Sequence, residues 1–208
     1  MPEAPKRTAT ARSERPHHAP VAGLVLAPGA SAGRDQPALV SIDAAVAEAG
    51  ITSIRIDFPY RLAGRRAPDR PPILMATIRD AAAELAAATG APPGRIALGG
   101  RSMGGRMCSM AVAEGLPAAA LVLVSYPLHP PGKPDRLRTE HFPALSVPCL
   151  FVSGTRDAFG TVGELMTATK AILGAVTHVW IEGGDHGLRG KDEEVAGVTR
   201  EWLVGLCR

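Results

Sequence analysis

"IALGGRSMGGRMC", residues 96–108, sets a short apolar run against a glycine-rich turn and then a stretch of helical character, with Ser102 between them. Gly100 and Gly104 stand two positions either side of the serine, which is the G-x-S-x-G spacing of a strand–turn–helix elbow. The spacing has a steric meaning. A serine held in so sharp a turn is strained, and only small residues two positions away let the strand and the helix approach closely. Its hydroxyl is then held out over the sheet edge, where the helix N-terminus aims free N–H groups and the positive end of its dipole. Glycine-rich turns of this kind also cradle phosphate or merely connect a strand to a helix. Whether Ser102 is a nucleophile therefore depends on the rest of the chain supplying a base and an acid to orient it.

Outward from the elbow, short β-rich runs alternate with alanine-rich stretches of helical period. That pattern predicts a parallel sheet covered by helices on both faces, an α/β/α sandwich of about six strands. The expected strands lie at 22–28, 53–58, 95–100, 120–126, 149–154 and 178–183, several apolar at consecutive positions as strands buried on both faces are. Helices are expected over 37–50, 71–90, 103–114, 162–173 and 193–207; the second carries Pro72 near its start and Gly90 at its end. The basic, proline-rich segments 61–72 and 129–143 read as loops.

A chain of 208 residues with 46% apolar and 21% charged content suits one domain with a real core, expected over 21–208. The first 20 residues mix Lys, Arg, Glu and Pro without an apolar stretch and read as a disordered tail, not a secretory signal. No apolar run approaches the roughly 20 residues of a bilayer span, so no membrane partner is expected. Cys108, Cys149 and Cys207 are far apart with no C-x-x-C pair, which speaks against a zinc site or a disulfide framework and for a reducing cytoplasm. The net charge of +3 is scattered. Arg61, Arg65, Arg66 and Arg70 make a modest basic loop, but aromatics are only 4% of the chain. With little to stack on bases, no nucleic-acid partner is expected, and a solvated face or recognition of an anionic substrate fits better.

Two later loops hold the partners Ser102 needs. After the fifth strand "GTRDAFG" carries Asp157, and after the sixth "GGDHGLRG" carries His186, 55 and then 29 residues further along. Both follow carboxyl ends of strands, the edge at which open parallel sheets bind ligands, so the three should converge on one crevice in the order Ser, Asp, His. Taken alone, Asp157 has a second reading as a cap for the helix near Val162, and His186 as a solvated loop residue. Asp185 reads as a turn residue, Asp57 lies on the far side of the serine strand, and Asp135 is too far beyond its own strand. Acyl transfer also needs oxyanion donors. The Met103 N–H is one, and Gly29 or Ala30 in "LAPGASAGRD" should give another. Arg101, Tyr126 and His129 are candidates to line the pocket.

The stretches "GRSMGGR", "SYPLHPPGK", "LFVSGTRD" and "GGDHGL" together resemble the α/β-hydrolase superfamily from about Val21 onward. More narrowly, they resemble the small dienelactone-hydrolase-like family that includes testis-expressed protein thirty and the third subunit of the NSL histone acetyltransferase complex. The resemblance implies Ser102 as nucleophile, Asp157 as acid and His186 as base, and a minimal six-stranded sheet. Pro28 stands where that family usually has a histidine in its first loop. The segment 127–148 is too short for a large cap. The expected function is therefore a serine hydrolase for small acyl esters, thioesters or amides, with a small-molecule acyl substrate as its partner and no metal or organic cofactor. The alternative is a catalytically silent scaffold with the same fold.

Overall fold

A computed structural model describes residues 21–206; the tail expected over 1–20 and Cys207 lie outside the described residues. Its centre is a six-stranded, all-parallel sheet in the order β2-β1-β3-β4-β5-β6. The strands are β1 (Gly23–Ala27), β2 (Thr52–Arg55), β3 (Ile96–Arg101), β4 (Leu121–Val124), β5 (Cys149–Gly154) and β6 (Val176–Ile181). The helices are α1 (Pro37–Glu48), α2 (Pro59–Leu62), α3 (Pro71–Thr89), α4 (Met103–Ala113), α5 (Val162–Ala168) and α6 (Asp192–Gly205). Successive parallel strands cannot be joined by tight turns, so each crossover carries its connection over a face of the sheet.

The runs of consecutive apolar residues find their reason in this topology. β1, β4 and β5 are buried at every position because they lie inside the sheet with helices over both faces. The edge strands β2 and β6 are only partly buried. On one face Leu24, Leu26, Ala97, Val122 and Leu150 pack under Leu39 and Ile42 of α1 and Val195 and Leu203 of α6. On the other, Val25, Leu98, Leu123 and Phe151 pack against Ile78 and Leu85 of α3 and Met107 and Ala111 of α4. At about 25 cal/mol per Å² of apolar area removed from water, these two clusters supply the main drive to fold.

Gly90 ends α3 as the sequence predicts: at φ 63° it takes the left-handed conformation, and its N–H reaches back to Ala86 and Ala87 carbonyls. Several boundaries differ from expectation: β4 ends two residues early, β6 starts and ends two residues early, and two further shifts have a plain physical cause. β2 stops at Arg55, because Pro59 opens the single turn of α2 and the chain bends first at Asp57, which accepts a hydrogen bond from the Arg34 N–H at 2.8 Å. The helix expected over 162–173 tightens into a 3-10 turn at Thr169–Ala171. There the N–H groups of Leu173 and Gly174 leave the helix for the Leu145 carbonyl, and a Cβ at Gly174 would lie 2.0 Å from the Val147 carbonyl oxygen, so the chain must turn. Among the described residues no helix is long and apolar enough to cross a membrane.

Candidate active site

The chain leaves β3 at Arg101 and enters α4 at Met103, with Ser102 alone forming the corner at φ 50° and ψ −115°. A non-glycine residue at positive φ is uncommon and costs on the order of 1–3 kcal/mol unless its surroundings impose it. They do. The Ser102 N–H donates to the Val124 carbonyl on the neighbouring strand at 2.8 Å, and its own carbonyl accepts the first helical bond, from Arg106, at 3.1 Å. A Cβ on Gly100 would lie 2.2 Å from the Ala27 carbonyl oxygen, and one on Gly104 would lie 2.1 Å from the same atom. The two glycines thus let β3 and α4 close on the end of β1, and the elbow cannot relax. Gly104→Ala should lower stability by about 3 kcal/mol, since backbone rather than a yielding side chain is in the way, or roughly 10 °C in melting temperature for a chain of this size. Gly197→Ala in α6, where a methyl group meets nothing within 4 Å, should instead hold or raise stability by about 0.5–1 kcal/mol. Thermal unfolding by circular dichroism separates the two.

Asp157 follows β5 and His186 follows β6, and the two loops touch through glycine. A Cβ on Gly154 would lie 2.2 Å from the Gly184 carbonyl oxygen, so only a glycine lets the loops come so near. The Arg156 N–H donates to the Gly184 carbonyl at 2.9 Å, and the Arg156 guanidinium to that of Gly183 at 2.7 and 3.0 Å, fastening one loop to the other. Asp157, 3% exposed, receives the Phe159 N–H on Oδ1 at 2.8 Å. His186 Nδ1 stands 2.8 Å from Asp157 Oδ2 and 3.0 Å from Oδ1, and His186 Nε2 stands 2.9 Å from Ser102 Oγ. A proton on Nδ1, donated to the carboxylate, leaves Nε2 as the acceptor for the serine hydroxyl. The Phe159 ring stacks on the imidazole with centroids 3.9 Å apart and holds its plane.

The competing reading of Asp157 as a helix cap does not describe its contacts: α5 is capped by Thr161, in a capping box with Glu164. Asp185 closes a turn, accepting from the Leu188 N–H at 3.0 Å. Asp57 binds Arg34 across the sheet from the histidine, and Asp135 is exposed.

The crevice over Ser102 is a cavity of about 440 Å³ whose lining includes Gly29, Ala30, Met103, Arg101 and His186. Met103 opens α4, so its N–H has no partner within the helix. Gly29 is otherwise engaged: its N–H donates to Gln36 Oε1 at 3.1 Å. This leaves Ala30 as the loop's donor candidate, and the Ala30 carbonyl accepts the Tyr60 hydroxyl at 2.6 Å, which fixes the peptide plane beside it. Tyr60 and Gln36 were invisible as site residues from sequence, because they act through backbone atoms of a loop 30 and 7 residues away.

Two expected pocket residues do not line the cavity. Tyr126 is 1% exposed within a cluster with Phe142 and Phe151, and its hydroxyl donates to the Arg138 carbonyl at 2.6 Å; β4 ends just before it and turns the ring into the core. His129 is 5% exposed, with Nε2 3.4 Å from Glu164 and Nδ1 2.9 Å from the Pro130 carbonyl oxygen, so it braces the base of α5. Arg101 does line the cavity, and its guanidinium donates to the His186 carbonyl.

A second serine–histidine contact lies on the core side of α4, where Ser109 Oγ is 2.8 Å from His141 Nε2. Ser109 is wholly buried and also donates to the Arg106 carbonyl, and no described carboxylate is hydrogen-bonded to His141. Burial and the neighbouring Arg106 cation push the His141 pKa down to about 4, so its imidazole stays neutral. This pair is a packing contact. Among the described residues, no three His, Cys, Asp or Glu side chains gather as a metal site.

The fold recurs widely. A serine hydrolase homologue from Coxiella burnetii superposes with a TM-score of 0.72 at 16% identity, over 89% of this chain and 86% of the other. The dienelactone hydrolase of Anabaena variabilis gives 0.72 at 19%, over 91% and 88%. A monoacylglycerol lipase from Paleococcus ferrophilus gives 0.72 at 16%, over 90% and 96%. Identities this low speak for shared architecture alone. The alpha/beta hydrolase domain model matches residues 20–203, almost the full length, and this chain therefore belongs to the alpha/beta hydrolase family.

Proposed function

We propose that this protein is a serine hydrolase of small acyl esters, thioesters or amides, working through an acyl-enzyme intermediate on Ser102. The observation that carries the reading is the unbroken line from Ser102 Oγ through His186 to Asp157, at 2.9 and 2.8 Å. A serine hydroxyl is a poor nucleophile until a positioned base takes its proton, and that base needs a carboxylate to fix its tautomer.

His186 Nε2 accepts the Ser102 proton as Oγ bonds to the substrate carbonyl carbon, and the carbonyl π electrons move onto oxygen. The Met103 and Ala30 N–H groups hold that oxyanion, assisted by the dipole of α4. When the tetrahedral species collapses, the bond to the leaving group breaks and His186 returns the proton to the departing atom. Water then repeats the sequence on the acyl-enzyme, giving the acid and restoring the serine. Asp157 stays ionised and stabilises the imidazolium formed in between. The chemistry needs no metal and no organic cofactor. Substrates are small because the cavity is about 440 Å³ and the connection from β4 to β5 contributes only a single 3-10 turn, Phe142–Ala144, in place of a cap.

The scaffold alternative is the weaker reading, since a chain released from catalysis has no reason to keep serine, imidazole and carboxylate in register. Incubation with a fluorophosphonate probe followed by peptide mass spectrometry is the direct test. Stoichiometric labelling at Ser102 is expected, and an unlabelled Ser102 in folded protein would rule the reading out.

A further inference from the structure

Five arginines among the described residues pair with carboxylates. Arg34 pairs with Asp57, Arg55 with Asp35 and Asp43, Arg65 with Asp69, Arg79 with Glu114 and Arg200 with Glu48. Three that line the cavity over Ser102 do not: no described carboxylate lies within 4.0 Å of Arg101, Arg106 or Arg138. They reach it from separate parts of the chain. Arg101 ends β3, Arg106 stands one turn into α4, and Arg138 comes from the long connection between β4 and β5.

Each of the three is partly buried. Burial holds the Arg101 guanidinium below its ordinary pKa, and burial together with the like charge of Arg106 does the same for Arg138. The Nε of Arg106 is buried with no hydrogen-bond partner among the described residues. Arg101 and Arg138 donate only to backbone carbonyls, of His186 and Pro127. The carboxylate of the site, Asp157, is already engaged by His186. Three cations sharing one partly desolvated cavity repel one another; Asp192, Asp157 and Asp185 act on Arg101 through space, but none of the three arginines closes an ion pair among the described residues, and an anionic ligand group would complete the set. Guanidinium groups bind carboxylate or phosphate oxygens through paired, charge-assisted hydrogen bonds. A second depression, lined by Arg61 and Arg66, adjoins the first through Ala30 and Ser31 and extends the positive surface to the rim.

We infer that the substrate of this site is an anionic ester or thioester, one whose acyl or alcohol half carries a carboxylate or phosphate held by Arg101, Arg106 and Arg138 while its carbonyl faces Ser102. This rests on the serine-hydrolase reading above and narrows its substrate class. It also gives the Arg61–Arg66 loop a role in gathering anions, through a field that salt screens.

The test compares matched substrates on the wild-type protein. For a charge on the acyl side, p-nitrophenyl hydrogen adipate is set against p-nitrophenyl heptanoate; for a charge on the alcohol side, acetylated glycerol 3-phosphate is set against monoacetin. In at least one pair the anionic member should have a kcat/KM roughly tenfold or more above its neutral counterpart, the return on one good charge-assisted contact. That advantage should fall as salt rises and shrink toward one in the double variant Arg106→Gln, Arg138→Gln. Which pair responds tells on which side the charge sits. Neutral esters cleaved as well as, or better than, the anionic ones in both pairs would overturn the inference and leave the hydrolase reading standing. If no ester is cleaved and Ser102 resists the fluorophosphonate, it is the hydrolase reading that has failed. The anion site is then judged by calorimetric titration with adipate against 1,6-hexanediol: preferential binding of adipate supports it, and no binding of adipate overturns it.

Discussion

Ser102→Ala should reduce turnover of p-nitrophenyl acetate by about 10⁴-fold to 10⁶-fold, the range expected when the nucleophile of a serine–histidine–aspartate unit is removed. The loss should appear in kcat. Thermal stability should move little, because the Ser102 hydroxyl makes one hydrogen bond, to a His186 that is partly solvent-exposed, and such a bond contributes about 1 kcal/mol. The corner conformation at φ 50° strains alanine as much as serine, so that term cancels between the two proteins. Activity within about tenfold of wild type, in a preparation free of contaminating esterase, would remove Ser102 from the chemistry.

The second large effect is that of Asp157→Asn, which should lower kcat by about 10⁴-fold with the fold intact. The substituted side chain keeps the shape of the original, and its carbonyl oxygen can still accept the Phe159 N–H that Asp157 Oδ1 receives. Its amide group, however, would donate to His186 Nδ1, which puts the imidazole proton on Nε2. That nitrogen then points a hydrogen at Ser102 and can no longer accept one. Rates on p-nitrophenyl acetate, with melting curves as the control for folding, decide it. A variant retaining more than about a tenth of wild-type kcat would show that Asp157 does not set the tautomer.

The positions of Ser102, Asp157 and His186 in the chain were readable because each follows a strand whose apolar run is unmistakable, and a parallel sheet brings the carboxyl ends of its strands to one edge. The glycines at 100 and 104 marked the elbow for the same kind of reason: only a missing Cβ permits the approach to Ala27. Tyr126 and His129 misled, since an aromatic or a histidine just past a strand can face either the crevice or the core. The hydroxyl of Tyr126 finds a buried carbonyl, that of Arg138, on the core side, and no local pattern announces this. Gln36 and Tyr60 left no signal at all, for they touch the first loop through its backbone.

Sequence alone determined the alternation of strands and helices, the elbow and the order of the polar residues at the sheet edge, because periodicity and small-residue spacing act over a few neighbours. Tertiary structure decided what those residues meet: that Gly29 is already occupied by Gln36, that Thr161 rather than Asp157 caps α5, and that Arg101, Arg106 and Arg138 share one cavity with no described carboxylate paired to them. Contacts between side chains dozens of residues apart depend on how separate loops fold over the sheet, and no local pattern in the chain encodes them.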